Sequence, residues 1–144
     1  MTSKFIISST LAALVTLTAV PASANDLFLQ QFGWWNQAGG GQVGTGNVIG
    51  VYQNGIINGA VANQAGNGNV AAIGQDGINN YGETFQNGDS NAAGVGQFGT
   101  NHNSILSQDG NGNVAAGVQV GNGCNAGVAQ TGAGNVAAFV QACP

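Results

Sequence analysis

Gly66–Gly77 reads GNGNVAAIGQDG, Gly110–Gly121 reads GNGNVAAGVQVG, and Gly132–Gln141 returns as GAGNVAAFVQ. The first two lie 44 residues apart and the third follows 22 later, so one phrase recurs on one period. Outward from these stretches the phase never slips. Gln stands at Gln31, Gln42, Gln53, Gln64, Gln75, Gln86, Gln97, Gln108, Gln119, Gln130 and Gln141, a spacing of 11 throughout. Two residues after each comes Gly: Gly33, Gly44, Gly55, Gly66, Gly77, Gly88, Gly99, Gly110, Gly121 and Gly132, with Cys143 in the last place. Six residues before each comes Asn: Asn25, Asn36, Asn47, Asn58, Asn69, Asn80, Asn91, Asn113 and Asn135, with His102 and Cys124 as exceptions.

The period then doubles. Units from Asn47, Asn69, Asn91, Asn113 and Asn135 (NVIGVYQ, NVAAIGQ, NAAGVGQ, NVAAGVQ, NVAAFVQ) resemble one another. Those between them (NGAVANQ, NYGETFQ, HNSILSQ, CNAGVAQ) vary more. The repeat is therefore 22 residues in two unlike halves, and such self-similarity marks a stacked architecture.

Ahead of the repeat, Lys4, the apolar run Phe5–Val20 and Ala22-Ser23-Ala24 predict a secretory signal peptide over 1–24. The remaining chain, 25–144, has no Lys or Arg; its charges are Asp26, Asp76, Glu83, Asp89 and Asp109. Without cations, nucleic-acid binding through phosphates is excluded. No later segment is long and apolar enough to span a bilayer as a helix, so an integral membrane protein is not expected. No nucleophile–base pair or carboxylate dyad is identifiable, and Gly39-Gly40-Gly41 follows no βαβ pattern. Neither an enzyme nor a cofactor is expected.

Within a unit, alternation puts positions 1, 3, 5 and 7 on one face, as in Asn47, Ile49, Val51 and Gln53, or Asn135, Ala137, Phe139 and Gln141. Apolar or small residues lie centrally, with amides at both ends. Four-residue links such as Asp76-Gly77-Ile78-Asn79 have turn chemistry, and the repeating Gly are assigned to those turns. Frequent Gly argues against helix. The expected fold is all-β: a two-sheet β-solenoid, eleven strand–loop units over 25–141 and a short tail over 142–144. Rungs about 4.7–4.8 Å apart would set like amide over like, each donating upward and accepting from below. The end strands would be bare edges able to pair with another copy, giving an amyloid-like polymer.

The motif Gln-x-Gly-x-Gly-Asn-x-Ala-x3-Gln, in Gln42–Gln53 (Ile49 at the Ala place), Gln64–Gln75 and Gln108–Gln119, resembles the curlin repeat. The resemblance covers Asn25–Gln141. It implies a structural subunit of curli, the functional amyloid fibres of Gram-negative bacterial surfaces, serving adhesion and biofilm matrix. The implied partners are the chain itself, a nucleator subunit, a periplasmic chaperone and the curli outer-membrane channel, with export through the periplasm. Curlins carry a targeting segment ahead of the repeats; here the degenerate start Asn25–Gly40 is the candidate for that role. Unbroken Gln positions and the lack of a basic final repeat favour the major subunit, with the nucleator as the alternative. A monomeric binding solenoid, such as an ice-binding protein, would need regular Thr-x-Thr rows, which are absent.

In an oxidising compartment Cys124 and Cys143 read as a disulfide pair. Cys143 should lie one rung above Gly121, three residues from Cys124, so the tail would have to fold back. An intramolecular clasp, an intermolecular link and free thiols stay open. One His and two Cys make no zinc site, and the carboxylates are too dispersed for calcium. His102 is either a tolerated polar replacement or a pH-sensitive break in the column. Asp76, Asp89 and Asp109, assigned to turns, are candidate gatekeepers against premature assembly. Trp34 and Trp35 are expected to pack over the first rung.

Overall fold

The computed structural model describes residues 24–144. The expected signal peptide therefore lies, apart from Ala24, outside the described residues. Eleven strands follow one another: β1 (Asp26–Trp34), β2 (Gln37–Val43), β3 (Val48–Ile56), β4 (Gly59–Ala65), β5 (Val70–Ile78), β6 (Tyr81–Asn87), β7 (Ala92–Thr100), β8 (Asn103–Asp109), β9 (Val114–Asn122), β10 (Asn125–Thr131) and β11 (Val136–Cys143). Odd strands form a six-stranded sheet in chain order and even strands a five-stranded sheet. Every pairing is parallel, and Gln meets Gln, as in Gln53↔Gln75 and Gln64↔Gln86. This is a two-sheet β-solenoid with one 22-residue repeat per rung.

The two halves of the repeat differ because their corners differ. Odd strands cross to even ones through two residues, such as Ile57-Asn58, and even strands return through four, such as Gly66–Asn69. Nine-residue odd strands run on past their Gln, so Gly33, Gly55, Gly77, Gly99 and Gly121 lie inside strands and not in turns. Only Gly44, Gly66, Gly88, Gly110 and Gly132 open a loop. Rung-to-rung pairing continues around the corners, as in Ile57 N–H to Trp34 O and Gly66 N–H to Val43 O. That pairing keeps the longer strands in register.

At each corner the residue before the Asn position is left-handed. Wide corners use Gly46, Gly68, Gly112 and Gly134, with Ser90 the exception; tight corners use Trp35, Ile57, Asn79, Asn101 and Gly123. Ile57, at φ 59°, is the costly case, because a branched Cβ there crowds the backbone. Asn occupies the same corner at the next two rungs. Ile57→Asn is therefore expected to raise the unfolding free energy by about 1 kcal/mol, read by urea denaturation of monomer.

Alternation buries the predicted face. Ile49, Val51, Ala60, Ala62, Ala71 and Ile73 form one apolar cluster, and Ala93, Val95, Leu106 and Ala115 a second, flanked by Val128 and Phe139. Bulky residues sit against small ones: a Cβ on Gly82 would crowd Ile73 Cγ2 at 2.9 Å. The hydroxyls of Thr84 and Ser104 are buried without a partner. With so thin an apolar interior, rung order falls to the amides.

Candidate functional site

The Gln residues run as two continuous columns. In the odd sheet Gln53 Nε2 donates to Gln75 Oε1 at 2.8 Å, Gln75 to Gln97 at 2.7 Å and Gln97 to Gln119 at 2.9 Å. In the even sheet Gln64, Gln86 and Gln108 do the same toward Gln86, Gln108 and Gln130, at 2.8, 2.9 and 2.8 Å. The second Nε2 hydrogen crosses to the opposite sheet, as from Gln75 to Gly59 O at 2.8 Å. Each buried Gln thus locks its rung to the one above and its sheet to the other. Such complete satisfaction is what makes a buried amide tolerable.

The Asn columns work differently from the expected amide-to-amide ladder. Asn47 Oδ1 accepts the backbone N–H of Asn69 at 3.0 Å, while Asn47 Nδ2 donates to Gly66 O at 2.8 Å. The same bracket recurs in the even-sheet column, where Asn58 Oδ1 accepts from Asn80 N–H and Asn58 Nδ2 donates to Gly77 O. Asn is one methylene shorter than Gln, so its amide stays beside the corner backbone and braces it. Only near the C-terminal end do neighbouring side chains also meet, as from Asn135 Nδ2 to Asn113 Oδ1.

His102 fits this bracket. Its backbone N–H donates to Asn80 Oδ1, its Nδ1 accepts from Cys124 N–H at 3.2 Å, and its Nε2 lies 3.2 Å from Phe98 O. With Nδ1 accepting, the proton belongs on Nε2, so the neutral ring mimics a carboxamide acceptor and donor. It is a replacement within the column.

Cys124 and Cys143 are joined by a disulfide, their Cα atoms 5.6 Å apart and 19 residues apart in sequence. The tail does not fold back. Ala142 and Cys143 extend β11, Cys143 pairs with Gly121, and the tight corner turns Cys124 inward toward it. Nineteen is also the Asn-to-Gly step of the bracket, as from Asn58 to Gly77 and Asn80 to Gly99. The disulfide is thus the covalent counterpart of that hydrogen bond, and the matching step was the signal for it in the sequence. Replacing both cysteines by Ser is expected to cost about 3 kcal/mol of unfolding free energy, with amide exchange rising first in β11.

The carboxylates sit on the outside, and only Asp89 is in a loop. Asp76 lies in β5 and Asp109 ends β8, because those strands reach beyond their Gln. They accept from Asn54 and Asn87 one rung below, at 3.2 and 3.0 Å, while Asp89 accepts Asn67 N–H at 2.7 Å. Tyr81 donates to Glu83 at 3.0 Å; partial burial, this bond and the neighbouring charge all raise its phenol above the ordinary value.

Both ends of the stack are open. At the N-terminal end Leu27, Phe28, Leu29 and Phe32 are exposed; Trp34 and Trp35 are exposed as well and do not pack over the rung. Among the described residues, the Oε1 atoms of Gln31 and Gln42 receive no donor from below, while Gln130 and Gln141 donate only to Val114 O and Asn125 O. One end presents acceptors and the other presents donors.

The family described as curlin associated repeat matches residues 77–110, which hold β6, β7 and β8. Comparison with curated proteins gives no match. The matched rungs share phase, ladders and corner geometry with those on either side. Over that segment the chain is similar to the curlin repeat family.

Proposed function

We propose that this chain is a structural subunit of an extracellular curli-type amyloid fibre, polymerising end to end for adhesion and biofilm matrix. It is exported through the periplasm of a Gram-negative bacterium and the curli channel, meeting chaperone and nucleator on the way. The reading rests on one observation: both strand edges and both Gln columns stop unfinished at each end, with opposite polarity. Bare parallel edges, free of Lys and of internal Pro, favour further pairing. Unbroken Gln over all eleven strands supports the major subunit, since neither column is interrupted for an incoming copy.

Residues 25–144 incubated at neutral pH should form fibres with a 4.7–4.8 Å meridional reflection. Protein that stays monomeric above micromolar concentration overturns the proposal. The carboxylates set the pace: each copy adds negative charge with no cation to offset it. Asp76→Asn, Asp89→Asn and Asp109→Asn combined should shorten the lag severalfold in a dye-binding assay, since Asn keeps the rung-to-rung acceptor while removing the repulsion.

A further inference from the structure

Among the described residues the strand count is odd. The six-stranded sheet ends on β11 while the five-stranded sheet ends on β10, so the C-terminal rung is half filled. From this geometry we infer that successive copies in the fibre are related by a half turn. The next copy's β1 enters the vacant half-rung on β10, opposite β11, and its β2 then covers β11. This rests on the end-to-end reading above and specifies which edges meet.

Three features favour it over stacking without rotation. First, it completes both amide columns at one rung spacing: Gln31 of the next copy lies over Gln130, and Gln42 over Gln141, acceptor above free donor. Unrotated stacking would place β1 on β11 and leave β10 uncovered, a bare edge and an idle Gln130 inside the fibre.

Second, the side chains at the junction have matching bulk. Phe139 projects inward from β11, and a Cβ on Gly117 beneath it would overlap its ring. After a half turn, the residue above Phe139 is Gly40 of the next copy. Without rotation it is Leu29, and two large residues would stack at one spacing.

Third, the N-terminal rung holds a cavity of about 230 Å³ between β1 and β2, bounded by Leu27, Leu29, Gly40 and Ile49. A Phe139 ring below Gly40 and facing Leu27 and Leu29 fills that space. Either packing sets a glycine of the next copy over Cys143, so that corner does not discriminate.

The test uses fibres of the 25–144 chain with its native disulfide. Copies carrying Val140→Cys are mixed with copies carrying Gly41→Cys, then mildly oxidised. Both sites face outward, and a half turn sets them one strand apart, within disulfide reach of about 4.4–6.8 Å. Covalent dimers are expected there and absent from a Val140→Cys plus Gln30→Cys mixture, which reports unrotated stacking. Cryo-electron microscopy should give a subunit rise of five and a half rungs, about 26 Å, with a rotation near 180° added to the sheet twist. Crosslinking only in the second mixture, a rise of six rungs (about 29 Å), or fibres crosslinked in neither overturns the half turn while leaving the fibre assignment intact. Failure of every variant and the parent to form fibres overturns both.

Discussion

Gly77→Ala should unfold the stack locally and abolish fibre growth, whereas Gly94→Ala should leave both unchanged. Gly77 has φ +138°, and a Cβ built on it would lie within the carbonyl oxygen of Gly99, one rung up. The same approach recurs from Gly33 to Gly55 and from Gly55 to Gly77, so the column has no slack to absorb a methyl group. Left-handed strain alone costs roughly 1–2 kcal/mol, and the overlap must also break or lengthen neighbouring ladder bonds. A total of about 4 kcal/mol is expected, a large share of the stability of a small domain. Gly94 faces outward in β7 with nothing within 4 Å of its built Cβ, and its Ala variant should move stability by less than about 0.5 kcal/mol. Urea unfolding of freshly desalted monomer, followed by fibre half-time, checks the pair. Equal behaviour of the two variants would falsify the close-approach account.

Gln75→Leu carries the other large effect. The side chains have similar volume, so packing changes little, but three buried partners each lose a hydrogen bond. Gly59 O and Gln97 Oε1 lose a donor, and Gln53 Nε2 keeps Gln37 O but loses its acceptor in the rung above. Each abandoned group costs about 1–3 kcal/mol, so a loss of roughly 3–5 kcal/mol is expected. Replacing Gln53, Gln75, Gln97 and Gln119 together by Leu removes every interior partner of the odd-sheet column. That variant should be less impaired than the sum of four single changes, because donor and acceptor leave together. Strict additivity would mean the residues act singly and not as a column. The monomer unfolding curves of the single and quadruple variants decide it.

Much of this architecture is legible in the residues alone. An 11-residue Gln spacing that never slips is compatible only with identical side chains stacked in register, and alternation then names the buried face from Asn47, Ile49, Val51 and Gln53 onward. The doubled period likewise announces two unlike sheets. Such features are periodic, and periodicity is a property of sequence.

What escaped that reading depends on distances across a corner. Nothing in the spelling of Asn and Gln says that one braces backbone while the other bonds its own kind; the difference is one methylene measured against the corner. Gly77 and Gly66 look equivalent in sequence, yet one lies in a strand and the other opens a loop, because two- and four-residue corners take up the chain differently. The left-handed conformation of Ile57, and the way Cys124 meets a Cys143 that stays in β11, follow from the same tight corners. The sequence alone determined the order of the rungs and which side chains they share. Only the tertiary structure decided how each corner is closed, because that turns on ångström-scale reach, which a repeat does not encode.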